Sequence, residues 1–170
     1  RSTFKHNTIS INNLEQAELM SAFEIKNECK PTILKIRETD NLISIMCGHN
    51  GYDKINLGIR YIRFIHILKK QKYKIYTSDH IKSLEPIKIT SFLGSDFEFT
   101  ENNNNLYKLD NSHILKLKNK YSDLKISKEK YSRANKQLKY GSSICWLISD
   151  KAKYDFGYIY CSRFELEIKQ

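Results

Sequence analysis

Cysteine, glycine, proline and tryptophan are all scarce in this sequence, and each scarcity excludes something. With four Cys and no Cys-x-x-Cys bite, the chain has no zinc-finger spacing. Six Gly and two Pro exclude collagen-like and low-complexity chains. No stretch approaches the roughly 20 apolar residues that carry a helix across a bilayer. There is no Asn-x-Ser/Thr acceptor, which argues against a glycosylated ectodomain. No signal peptide is present and the first residue is Arg1, so the expectation is a piece excised from something longer.

The 170 residues suffice for one domain with a real core. The formal charge is +10, which suggests an acidic partner or nucleic acid. Lys outnumbers Arg 23 to 6, and Ile, Asn and Tyr are also abundant, so AT-rich codons account for much of that balance. Readers of phosphates and bases lean on Arg forks, which are few here.

Residues 13–28 read as a helix capped by Asn12 or Asn13, with Leu14, Ala17, Met20, Phe23 and Ile25 as its apolar stripe. "TILKIRE" and "LISIMC" read as a hairpin around Thr39-Asp40-Asn41. "LGIRYIRFIHILKK" reads as a second helix, with Arg60, Arg63 and Lys70 on one side. "YKIYTS" is a strand, followed by a short helix "HIKSL" ended by Pro86. "IKITSFLG", "FEFT", "LYKLD" and "HILKLK" are strands, and 127–140 is a solvated helix or long loop. The expected class is α+β, an antiparallel sheet with two helices.

The cysteines bracket two hairpins. If "CWLISDKAKYDFGYIYC" turns about Lys153, Cys145 faces Cys161 at a separation a disulfide tolerates. Cys29 and Cys47 flank the other hairpin. Disulfides in an oxidising compartment are the first reading, with buried thiols and a metal site as the alternatives. Other constellations are thin. His113, Asp123 and Cys145 make a permuted cysteine-protease triad, and Arg60 with His66 has a ribonuclease-like spacing. Glu165, Glu167 and Lys169 with Asp96 echo a metal-dependent nuclease, although alternating charge on an edge strand gives the same letters. Cys47 and His49 offer two ligands and read better as a turn.

Taken in order, these segments resemble a divergent C-type lectin-like domain of the natural killer receptor type. The matching pieces are the hairpin "CKPTILKIRETDNLISIMC", the helix "LGIRYIRFIHIL" and the strand-to-helix "YKIYTSDHIKSL". "SFLGS" and "LYKLDNS" stand where the family has its tryptophan-bearing strand and turn, and "CWLIS" and "YIYC" stand for the closing strands. The helix cysteine and the loop cysteine of that family are absent. The resemblance implies a disulfide-stabilised domain over 29–170, preceded by a neck helix (1–28) that pairs two copies and a membrane anchor upstream of Arg1. It implies a basic insertion at about 111–144, where Asp123 and Glu129 are the only acids, too few for calcium.

The function implied is non-enzymatic, calcium-independent recognition of a protein ligand at a cell or virion surface, with no cofactor. A viral source is compatible with the AT-rich composition. The candidate ligand surface is Lys116, Lys118, Tyr121, Lys128, Lys130, Tyr131, Arg133, Lys136, Lys139 and Tyr140, where Tyr and Arg serve as anchors and Lys steers an acidic partner. The rival readings are an intracellular basic domain that binds nucleic acid through Lys and Tyr, and an exported pilin-like subunit.

Overall fold

The computed structural model describes residues 6–21, 24–70, 74–95, 99–103, 106–108, 113–118, 121–132, 138–148 and 151–168. Among them the regular structure is almost all extended. In chain order the strands are β1 (Ile9–Ile11), β2 (Glu18–Leu19), β3 (Ile25–Lys26), β4 (Pro31–Glu38), β5 (Leu42–His49), β6 (Arg60–Leu68), β7 (Lys74–Ser83) and β8 (Ile89–Ser95). They continue with β9 (Thr100–Asn103), β10 (Leu106–Lys108), β11 (His113–Leu117), β12 (Tyr121–Ser132), β13 (Leu138–Ile148), β14 (Lys151–Tyr154) and β15 (Gly157–Ile168). A 3-10 turn at Asp53–Ile55 is the one helical element described.

Two antiparallel sheets stack. The larger runs β4-β5-β6-β7-β15-β11-β10-β9, with β14 paired to the start of β15; the smaller runs β1-β8-β13-β12. Strand alternation explains the core. On β7, Thr77, Asp79, Ile81 and Ser83 are buried while Tyr76, Ser78, His80 and Lys82 are not, so every second residue points inward. Ile9, Ile11, Ile89, Ile144, Trp146 and Ile148 of the small sheet meet Tyr61, Ile81, Leu115, Tyr160 and Phe164 of the large one in a single cluster. The Trp146 and Phe164 rings pack edge-on at 6.0 Å, and Trp146 Nε1 donates to Ser162 Oγ at 3.3 Å. The large sheet outreaches the small one: β4 is exposed along its whole length and β5 is half-buried throughout.

The α+β expectation is therefore corrected: this is a β-sandwich, and neither expected long helix exists among the described residues. Asn12 and Asn13 are not a helix cap. Both adopt left-handed φ (51° and 59°), and Leu14 N donates to Ile11 O, which makes a tight two-residue turn of the kind Asn favours. Beyond it, Glu18 pairs with Lys26 and Leu19 with Ile25, so the described part of 13–28 is a turn and a small ladder, with no neck helix among the described residues.

"RYIRFIHIL" is β6, an inner strand between β5 and β7. Its β-branched and aromatic residues suit a pleated surface, and its apolar residues on both faces hide the period of two. "HIKS" simply continues β7. Of the expected helix or loop at 127–140, the described parts belong to β12 and β13. The hairpin about Thr39–Asn41 is present as expected, with Glu38 opposite Ile43.

The disulfides are corrected too. All four cysteines are reduced. The closing hairpin turns at Asp155-Phe156, where Tyr154 faces Gly157, and β13 belongs to the other sheet. Cys145 consequently faces Phe92 and Lys125, while Cys161 faces His80. Cys47 faces Ile33 and Arg63. Burial pushes the thiols of Cys29, Cys47 and Cys145 up from their ordinary value, which suits half-buried packing residues.

Candidate functional site

The small sheet covers one face of the large sheet; the other is open. The register gathers on it Lys35 and Arg37 of β4, Ser44 and Met46 of β5, and Phe64 and His66 of β6. Tyr76, Ser78, His80 and Lys82 of β7 follow, opposite Glu165, Arg163, Cys161 and Ile159 of β15 respectively. Lys116 of β11 lies opposite Glu165. Cations, imidazoles and aromatic rings thus share one surface, because alternation sends every second side chain of six adjacent strands the same way.

A hollow of about 400 Å³ lies on this face, bounded by His66, Tyr76, Ser78, Lys118 and Arg163. His66, Ser78 and Lys118 are each held in place by a neighbour. Ser44 Oγ lies 2.9 Å from His66 Nδ1, which orients the ring and leaves Nε2 for the hollow. Ser78 Oγ lies 3.2 Å from His80 Nε2. His80 is edge-on to Phe64, and burial followed by the Arg163 charge lowers its pKa. Lys118 Nζ is 2.7 Å from Glu165 Oε2, and Lys74 Nζ bridges Glu165 and Glu167 at 3.3 and 3.4 Å. Burial would raise the Glu165 pKa, but Lys118 and Lys74 more than offset it and hold the carboxyl below its usual range. The two lysines and two glutamates balance, so Arg163, exposed and opposite Ser78, carries the uncompensated charge.

The inner face holds a second polar cluster. Asp79, fully buried, accepts from Tyr61 Oη at 2.8 Å and from Arg63 Nε and Nη2 at 2.6 and 2.8 Å. Arg63 Nη1 reaches on to Asn7 O at 2.6 Å and thereby ties the chain before β1 to the large sheet. Burial works against the Arg63 charge, yet Asp79 raises its pKa overall. His49 packs between the rings of Tyr61 and Tyr52; burial, then the Arg63 charge, lowers it to about 4. The ring is therefore neutral, and its Nε2 is buried without a hydrogen-bond partner. Among the described residues no three His, Cys, Asp or Glu side chains gather as a metal site.

The residues singled out from sequence are dispersed. Lys116 and Lys118 lie at the open face. Tyr121, Lys128, Lys130 and Tyr131 are on β12, and Lys139 and Tyr140 on β13, with Lys130 opposite Tyr140 and Tyr131 opposite Lys139. Arg133 and Lys136 lie outside the described residues, as do Asp96 and Lys169. His113 is on the large sheet, Asp123 and Cys145 on the small one. Arg60 and His66 share the open face, six residues or about 20 Å apart along one strand. Sequence reading passed over Arg163, Tyr76, Ser78 and the site role of His66. Period-two reading of "RYIRFIHIL" and "KIYTSDHIKS" would have put His66, Tyr76 and Ser78 on one face.

A protein-family model described as heparinase II/III-like, C-terminal, matches residues 1–152. Among solved structures the chain is similar to a heparinase III (TM-score 0.62, 13% identity, covering 99% of this chain and 24% of that one). It is also similar to a mutant of the heparan sulfate lyase HepC from Pedobacter heparinus (TM-score 0.65, 9% identity, 100% and 25%). At such identities the likeness shows the fold alone. The chain spans about a quarter of the length of these structures. No curated protein matches it in sequence. These findings, with a sandwich in place of two helices and two disulfides, overturn the C-type lectin-like reading. With it fall the viral or natural killer receptor ectodomain, the protein ligand, and the neck-paired dimer.

Proposed function

Because the chain belongs to the heparinase II/III-like C-terminal family, we propose that it is the β-sandwich module of a larger protein acting on an acidic polysaccharide, and that the open face of its large sheet forms part of the polysaccharide-binding surface. One of its structural neighbours is named a heparan sulfate lyase, which acts on such a polymer. The observation that carries the reading is the shared face of Lys35, Arg37, Lys82, Lys116 and Arg163 with His66 and Tyr76. A flexible polyanion needs cations spread along a track, hydroxyls and imidazoles for its polar groups, and flat rings for its sugars; this face offers all three. The domain is lyase-related, which replaces the expectation of a domain unrelated to any enzyme, and its own contribution in this reading is binding.

An extracytoplasmic location, expected from sequence through disulfides, rests here on a different ground: a polymeric acidic polysaccharide is met outside the cell membrane. No helix among the described residues is long and apolar enough to cross a membrane.

The test is binding of a heparan-sulfate-type oligosaccharide across a salt series, for the wild type and for charge reversals at Lys35, Lys82 and Arg163 against a control reversal at Lys153 on β14. Affinity falling with salt, and falling further with the open-face reversals than with the control, supports the reading. Equal loss from the control, or equal affinity for a DNA of matched charge, overturns it in favour of a diffuse polyanion binder.

A further inference from the structure

Resting on that reading, we infer that the hollow between β6, β7 and β15 is a discrete subsite for one anionic substituent of the polysaccharide, a sulfate ester or a carboxylate, anchored by Arg163 and completed by Ser78 and His66. Three features set it apart from the rest of the basic face.

The first is charge. Lys74 and Lys118 are committed to Glu165 and Glu167, so the carboxylates beside the hollow are neutralised and do not repel an anion. Arg163 supplies the remaining charge as a planar fork that fits two oxygens at once.

The second is donor arrangement. Ser44 Oγ lies 2.9 Å from His66 Nδ1; in the tautomer where the serine donates, the ring carries its proton on Nε2, where it can donate to a ligand oxygen. Ser78 Oγ lies 3.2 Å from His80 Nε2; in the tautomer where His80 donates, the serine hydroxyl proton is likewise free to turn toward the ligand. Two donors are thus pre-oriented by neighbours that stand outside the hollow, which lowers the ordering cost of binding.

The third is size. His66 and Arg163 sit on strands two apart, with β7 between them, so about 10 Å separates their Cα rows. That span and the volume of about 400 Å³ suit a single sugar ring with its substituent, with Tyr76 on the floor between them.

The experiment measures, at one salt concentration, the affinity of the whole chain for three probes: a sulfated heparin-type oligosaccharide, the same oligosaccharide chemically desulfated, and an unsulfated uronate polymer. Arg163→Ala is expected to weaken binding of the preferred probe about tenfold or more, and Arg163→Lys to restore little of it, because an ammonium lacks the fork. Ser78→Ala should cost several-fold, and Lys35→Ala, a cation on the same face outside the hollow, less than about threefold. Loss confined to the sulfated probe identifies a sulfate site; loss on all three identifies a carboxylate site. If Arg163→Ala weakens binding no more than Lys35→Ala, or Arg163→Lys restores it fully, there is no discrete subsite and the polysaccharide reading stands without it. If the wild type binds none of the probes, the polysaccharide reading fails as well. Matching thermal melts of the variants keep misfolding out of the comparison.

Discussion

Arg63 grips Asp79 across β6 and β7 with two parallel hydrogen bonds, Nε to Oδ1 at 2.6 Å and Nη2 to Oδ2 at 2.8 Å. Asp79 is fully buried, so removing it strands a guanidinium between the sheets. Asp79→Ala should therefore destabilise the fold by about 3–5 kcal/mol, while the double substitution Arg63→Met with Asp79→Leu should cost clearly less. Urea denaturation of the three proteins checks this; a double variant as unstable as Asp79→Ala would contradict it.

His49 makes stability depend on pH. Burial, then Arg63, lowers its pKa to about 4 in the fold, against about 6.5 in the unfolded chain. The unfolded chain therefore binds the proton first. The contribution of His49 is complete above about pH 6.5 and is lost as pH falls toward 4, amounting to roughly 2–3 kcal/mol once its partial exposure is allowed for. His49→Gln should flatten the stability profile across that window in denaturant titrations at successive pH values.

Gly157 closes the β14–β15 hairpin at φ 126°, where a Cβ would lie 2.2 Å from Ser83 O. Both the backbone conformation and the space demand glycine. Gly157→Ala should cost about 3 kcal/mol or more and lower the melting temperature. Amide exchange should accelerate first at Lys151–Tyr154.

The four thiols are reduced. Electrophoretic mobility should be the same with and without reductant, and an aromatic disulfide reagent should titrate four thiols after denaturation. In the native protein the reaction should be slow, since burial raises the pKa of Cys29, Cys47 and Cys145 and suppresses the thiolate. A titre of two would restore a disulfide.

The hairpin over 31–49 was legible because a polar turn separates two β-rich runs, and both partners are local in sequence. β6 was not, because an inner strand carrying apolar residues on both faces has no visible alternation and offers accidental helical spacings. Asn12-Asn13 was ambiguous, since the same residues cap helices and make left-handed turns. The Cys145–Cys161 pairing failed because it assumed that neighbours in sequence are neighbours in the sheet, whereas β13 crosses to the other layer. Lys116 and Lys118 were singled out for basic composition alone and lie on the open face, but Arg163, almost a hundred residues from His66, could be joined to it only by the path of β15 beside β7.

What the amino-acid order alone decided is local: the excess of Lys, the wealth of Ile and Tyr that favours extended chain, and the want of Gly, Pro and metal-binding spacings. Strand order, the face each residue presents and the state of the sulfurs came from the tertiary structure. Side-chain alternation is a property of a few consecutive residues. Which strands lie side by side is settled by pairing between distant segments, and that pairing forms both the buried Arg63–Asp79 contact and the open basic face.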